Sequence, residues 1–447
     1  LRAIDQALQN DGRFPESSER EELVIAIILA TVGLLLVLTN VMGVRLMMLA
    51  IMLARPSSDQ VFDWLKEAFG LQLGPGAAIN GLVIAMAIIT IAHVPETLVS
   101  LPVLAWAGFI LAAGLSLLHT SDPSGGMRIL LTLVTYAAVF VLPYAAIRSD
   151  KDAAQCLTAA LGSSVVPSFF ALYELAAHPA ILTGEERLQS TFTHPNIYAF
   201  YIVGVITVIL YVNYSATVTI SAYMRRATSL YAGYLVLLLL LTQTRSAWLS
   251  MLLILAGHAI VVDRRWLFPL LALPLVLVIP AVGDRLSDLT AGTVDVGFEH
   301  LNSLAWRQVL WSDTLQWLAA NPPGALGYGL SAYESYVPLF FSRGEGQPGV
   351  GAHNAFLQIY FEMGIIGLAC FAILILAVAI KLLSVASRDF QGAFTMLMMC
   401  LGYVTVFYSD NLLDYLQFQW FFWFTLGSVC ASTRFLPHPA HAQLAVS

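Results

Sequence analysis

Apolar runs long enough to cross a bilayer recur along the whole chain. Spans are expected near residues 23–53, 77–92, 98–118, 128–147, 154–175, 197–215, 229–243, 247–262, 266–282, 362–383, 393–409 and 416–432. A crossing helix needs about 20 apolar residues for a hydrocarbon core of roughly 30 Å. In lipid the backbone must satisfy its own polar groups, so such runs fold as helices. The expected class is an all-α polytopic membrane protein with about 12 transmembrane helices and one long loop containing short helices. Composition agrees: of 447 residues 58% are hydrophobic and only 11% charged, and mean hydropathy is +0.77. A soluble domain carries about 25% charged residues. The first run would be roughly 46 Å long at 1.5 Å per residue. It is read as one tilted helix, with two short ones broken near Asn40–Gly43 as the alternative.

Charge sets the orientation. The short basic turns are Arg148/Lys151, Arg225/Arg226, Arg264/Arg265 and Lys381/Arg388. With twelve spans and both termini inside, all four fall on the cytoplasmic side, as the positive-inside rule requires. The first 22 or so residues are polar and acidic, unlike a cleavable signal peptide, so the first membrane helix is expected to act as the insertion signal. The expected organisation is helices 1–9 over 1–282, the long outer loop over 283–361, helices 10–12 over 362–434, and a cytoplasmic tail over 435–447. Residues 57–69 read as a short interfacial helix. Net charge is −7, with no basic block to suggest nucleic acid. Cys156, Cys370, Cys400 and Cys430 all lie in apolar runs and read as packing residues. No metal-ligand spacing is visible, and no cofactor is expected.

Four polar segments reach the outer face. ERLQSTFTHPN carries Arg187, His194 and Asn196, with Pro195 suited to start a helix. TQTRS places Arg245 in a tight turn between two short helices; flanking polar residues suit a wet cavity, although an arginine there could also reach the headgroups. LAWRQVLWSDTLQWL, within an amphipathic stretch over 301–320, holds Arg307. GVGAHNAFLQIYFEMGIIGL holds His353 and Asn354 at the mouth of a helix. The helix N-terminus there would depress the histidine pKa and keep a neutral base, and Asn354 could be a plain N-cap. Gly364 and Gly367 would permit close helix packing. Three arginines around a histidine suit a phosphate-bearing headgroup, because guanidinium grips phosphate bidentately. No carboxylate cage for a divalent metal is evident, and arginines could take over its role in stabilising a diphosphate leaving group. Arg45 is an awkward charge in an apolar run; Glu174 and Glu362 lie near span ends, and Asp410 and Asp414 at the outer edge, where they could orient an acceptor.

In these residues the sequence resembles the O-antigen ligase and polymerase superfamily of bacterial inner membranes. The matching segments run in order: Arg187-x-x-Ser-Thr-Phe-x-His-Pro-Asn196, the Thr-Arg245-Ser-Ala turn, the Arg307 helix followed by NPPGALGYGL, and His353-Asn354 before the Gly364 helix. They cover about 180 residues, and the hydropathy profile is similar over nearly the whole chain. The resemblance implies a multi-pass enzyme of the bacterial inner membrane, its active site facing the periplasm. It would move a glycan en bloc from undecaprenyl diphosphate to lipid A–core, with inversion and without a metal. His353 would activate or position the acceptor hydroxyl, and Arg187, Arg245 and Arg307 would hold the diphosphate, with His194, Asn196 and Asn354 lining the site. Arg285 and Arg343 are less securely matched. Polymerases pass the glycan to another lipid-linked repeat and some relatives pass it to protein; motifs do not separate these. A transporter of lipid-linked sugars is the reading from another class. It would show inverted repeats, broken helices or midplane charges, of which the sequence offers little.

Overall fold

A computed structural model describes residues 33, 43–68, 74–271, 282–283, 303–341 and 350–432, side chains of Pro269 and Leu271 excepted. Every regular element among the described residues is helical. In chain order these are α1 Val44–Ala54, α2 Asp59–Ala68, α3 Pro75–His93, α4 Leu101–Leu117, α5 Pro123–Ala146, α6 Asp150–Gly162, α7 Val165–Ala177, α8 Ala180–Thr183 and α9 Pro195–Tyr214. They continue as α10 Ala222–Leu241, α11 Arg245–Val261, α12 Leu267–Leu271, α13 Ser303–Ala320, α14 Ala332–Tyr336, α15 Ala355–Leu383, α16 Phe390–Phe407 and α17 Leu416–Ser432.

Seven helical stretches among the described residues are long and apolar enough to cross a membrane, and α4 and α11 are shorter apolar helices. The seventeen-residue α17 lies inside the bundle, every residue from Gln417 to Ser432 buried. The chain is an all-α polytopic membrane protein. The runs expected over 23–53 and 266–282 fall largely outside the described residues, as do Arg285, Arg343 and the tail after Arg434; α1 begins after Gly43, which is left-handed at φ 82°. The crossing expected over 154–175 is built from α6 and α7, interrupted at Ser163–Ser164. There Ser163 shares a hydrogen bond with Tyr201 (2.7 Å) and Ser164 with Tyr231 (2.8 Å).

Local chemistry starts the helices where the sequence offers caps. Asp122, Ser149, Ser221, Asn354 and Asp389 each accept a backbone N–H from the first turn of the helix that follows. The bundle's ends are tied separately. At one end Asn213 donates to Ser229, Tyr214 to Asp263 and Ser215 to Asp389, which brings together the basic turns at 225–226, 264–265 and 381–388. Arg45, the awkward charge of the first run, pairs with Asp152 beside the fourth basic turn. At the other end lie the segments 184–194, 242–245, 303–341, 350–361 and 408–415.

Two central helices carry the site's end of the bundle. Every residue of α9 from Asn196 to Asn213 is buried, and α17 packs between it, α5 and α6. Small residues permit this: a Cβ on Gly427 would meet the Phe140 carbonyl at 2.3 Å, and one on Gly204 would meet the Phe421 ring at 2.8 Å.

α15 departs from the reading of its sequence. It starts at Ala355, seven residues before the span expected from 362, and is broken at Gly364 (φ 62°, ψ −164°). The NPPGALGYG stretch fills the break. Tyr328 N donates to Phe361 O (2.9 Å), Gly329 N to Glu362 O (3.0 Å) and Ile366 N to Ala325 O (3.2 Å). Gly364 therefore serves close approach by a loop rather than helix packing: a Cβ there would sit 2.3 Å from the Ala325 carbonyl oxygen.

Candidate functional site

The segment from Gly184 to His194 has no regular structure of its own, so its neighbours must satisfy its backbone. Gln243 donates through Nε2 to the carbonyls of Glu186 (2.7 Å) and Gly184 (3.3 Å), and Leu188 N donates to Leu241 O (3.1 Å). These bonds present Arg187 to the turn between α10 and α11. Its Nε donates to Thr242 O (3.0 Å), and its Nη2 to Asn196 Oδ1 (2.6 Å) and Thr244 Oγ1 (2.9 Å).

Asn196, in the first turn of α9, passes the connection on. Its Nδ2 donates to Asp410 Oδ2 (3.0 Å). Asp410 is only 1% exposed and also accepts from the Tyr415 hydroxyl (2.7 Å) and Asn411 N (3.0 Å). His194 caps α9, its Nδ1 accepting from Asn196 N (3.1 Å), and its ring stacks with Tyr415 at 6.4 Å between centroids. Across the cluster Arg307 of α13 donates to Ser409 O (2.5 Å). His353 lies edge-on to Trp306 at 5.7 Å, and its Nδ1 is buried with no hydrogen-bond partner among the described residues.

Electrostatics favours neutral histidines. Burial lowers the His353 pKa, Arg307 and His194 lower it further, and Asp410 opposes them. The named causes are burial and a neighbouring cation, where the sequence suggested a helix dipole. Burial and then Arg187 lower the His194 pKa, again opposed by Asp410. Both histidines thus lean toward the form able to take up a proton.

Arg187, His194, Asn196, Arg307 and His353 therefore converge around Asp410. Arg245 joins through the chain: it follows Thr244 directly, opens α11, and its Nη2 donates to Ser303 Oγ (2.6 Å) at the start of α13. It is half-buried at the mouth of the cluster. Asn354 serves the helix, its Oδ1 capping Leu357 N (3.0 Å). Tyr415 and Thr244 are members that sequence reasoning left out of the site, and Asp410, read only as an outer-edge residue that could orient an acceptor, is its hub. The polar YSDNLLDY stretch between two apolar runs was the available signal for Asp410 and Tyr415.

Backbone strain marks the same place. Among the described residues the non-glycine positions at positive φ are Ser190 (56°), Gln243 (53°), Ser331 (67°) and His353 (48°). Three of these four border the cluster, and such strain persists where surrounding structure over-determines it. No group of three or more His, Cys, Asp or Glu residues arranged to hold a metal ion occurs among the described residues.

A cationic turn, an arginine-bearing helix, a glycine strap and a half-buried histidine before a broken helix follow one another along one stretch of the chain. Residues 230–372 match the family model for O-antigen ligase. The match supports the O-antigen ligase superfamily. It runs from α10 through Arg245, Arg307 and the strap to His353 and the break at Gly364. Arg187, His194, Asn196 and Asp410 lie outside the matched stretch; Arg187 bonds to Thr242 and Thr244 within it, and Asn196 to Thr244. No curated protein matches the chain.

Proposed function

We propose that this protein is a glycosyltransferase of the O-antigen ligase type. It takes a glycan from undecaprenyl diphosphate and transfers it en bloc to a lipid A–core hydroxyl at the periplasmic face of the inner membrane. The observation that carries this reading is the convergence of Arg187, Arg307 and a neutral-leaning His353 at one end of the bundle, opposite the basic turns. By the positive-inside rule that end faces the periplasm.

In the proposed step the acceptor hydroxyl oxygen attacks the anomeric carbon of the lipid-linked sugar. The glycosidic bond to the diphosphate breaks, and its electron pair leaves with the diphosphate oxygen. The hydroxyl proton passes to His353, whose Nδ1 has no hydrogen-bond partner among the described residues. Direct displacement by the acceptor inverts the anomeric configuration. Arg187, Arg245 and Arg307 hold the diphosphate and offset the charge that develops on it; these fixed cations make the transfer metal-independent. Preorganised donors in a water-poor site are the most effective form of such stabilisation. Asp410 and Asn196 keep Arg187 and the two histidines in register.

Purified protein supplied with undecaprenyl-diphosphate oligosaccharide in EDTA, with and without lipid A–core, tests the reading. Product that requires lipid A–core is the expected result. A ladder of longer lipid-linked glycan without it would instead identify a polymerase, and transfer only to added protein would identify a protein glycan ligase. No product with any acceptor would overturn the transferase reading in favour of transport. Arg245→Ala is expected to insert and fold normally while transfer falls by about 100-fold or more, the usual loss for one preorganised charge-stabilising donor.

A further inference from the structure

The segment between Arg187 and His194 passes through Ser190, a fully buried residue in the left-handed region at φ 56°. A non-glycine residue there costs of order 1–3 kcal/mol and needs neighbours that over-determine it. Here two helices, α7 and α2, supply them. Ser190 N donates to Glu174 Oε2 of α7 (2.6 Å), with Gln189 N on Oε1 (3.2 Å). Ser190 Oγ donates to Pro167 O (2.6 Å). Ser190 O accepts from Gln60 Nε2 of α2 (2.6 Å), which also donates to Phe192 O (3.0 Å). Next to it Thr191 Oγ1 donates to Pro56 O (2.8 Å).

α2 is itself anchored. Arg55, just before it, is 3% exposed, pairs with Asp59 at 3.3 Å, and lies over the rings of Phe62 (5.6 Å) and Trp420 (5.7 Å). A buried cation with a carboxylate and two aromatic faces resists displacement, since removing one partner strands a buried charge. The Gln60 amide is thereby held at a fixed height against the loop.

We infer that Gln60 is a positioning residue for the transfer site: by donating to the Ser190 and Phe192 carbonyls it fixes the left-handed turn that aims Arg187 and His194. Gln60 does not reach the reacting atoms. It acts through three residues of chain on one side, toward Arg187, and four on the other, toward His194. The inference rests on the proposed role of Arg187 at the diphosphate. Misplacing a reacting or charge-stabilising group by about 1 Å costs on the order of 100-fold in rate, so a loosened turn should be felt in kcat.

Gln60→Glu is the informative variant. It keeps the side-chain shape and replaces both donors with a carboxylate that repels the two carbonyls, so its effect on kcat at unchanged folded yield reads the turn itself. Transfer from undecaprenyl-diphosphate oligosaccharide should be measured per folded molecule, folding being scored by monodisperse yield and thermal midpoint, with Arg187→Ala alongside. The expected result is a fall in kcat of about tenfold or more for Gln60→Glu at wild-type folded yield. Gln60→Glu combined with Ser190→Gly should recover part of it, because glycine adopts positive φ without strain. Wild-type kcat in Gln60→Glu, or a loss confined to folded yield or to KM, would overturn the positioning role while leaving the transferase reading intact. Wild-type transfer by Arg187→Ala would instead remove Arg187 from the site and overturn the assignment on which this inference rests.

Discussion

Asn196 joins opposite charges through one side chain. Its carbonyl oxygen accepts from Arg187 and its amide nitrogen donates to Asp410, so cation and anion are held in register. The Asp410 charge also acts on both histidines. A pH prediction follows for His353. As a base it must be neutral, and its activity is lost as pH falls through its pKa. Burial and Arg307 hold that pKa below the usual histidine value of about 6.5. The acidic limb of the transfer profile is therefore expected below pH 6.5. Arg307→Gln removes one lowering influence, leaving Asp410 and His194, and should move that limb upward in pH while reducing kcat. A downward move, seen in kcat against pH, would contradict the assignment. At this scale the sequence was informative about isolated polar residues beside apolar runs: Arg187, His353 and Arg307 stood out individually. Asp410 did not, because its partner Asn196 is 214 residues away and nothing local distinguishes a hub from an interfacial aspartate.

Among the elements, α2 and α13 lie close to where their amphipathic patterns put them. α15 starts at the helix mouth read at His353-Asn354, where Asn354 caps it, but it is not continuous: Glu362 O turns to accept from Ser116 Oγ (2.6 Å) and Gly329 N (3.0 Å). The break at Gly364 was illegible because its conformation depends on residues 325–329, outside any local window. It also corrects a simple marker, since broken helices are a common feature of transporters. Here a strap of backbone satisfies the break. Gly364→Ala is expected to be poorly tolerated: the added Cβ would overlap the Ala325 carbonyl at 2.3 Å, and the backbone strain alone costs about 1–3 kcal/mol. Gly233→Ala, in α10 with nothing within 4 Å of the new Cβ, should be neutral or slightly stabilising. Thermal midpoints in detergent compare the two; equal midpoints would mean that the strap does not hold the break.

Over the whole molecule, alternation of basic and polar turns was the most legible feature, because it depends on span parity and charge rather than on side-chain detail. It gives a direct test of orientation. A cysteine at exposed Glu185 should react with an impermeant maleimide added outside spheroplasts, and one at exposed Arg226 should react only after permeabilisation; the reverse pattern would invert the topology. The native cysteines are buried or half-buried and should give little background. The hydrogen bond from Asn196 to Asp410 has a further consequence for how the protein is made. Asn196 is synthesised 214 residues before the Asp410 that its amide holds. Until α16 and the segment after it have been made, Asn196 lacks that carboxylate and Tyr415 is absent as well. A ribosome-bound fragment that stops before α16 would therefore present Asn196 without its organiser. Competence for transfer is expected only once that segment has folded against α9.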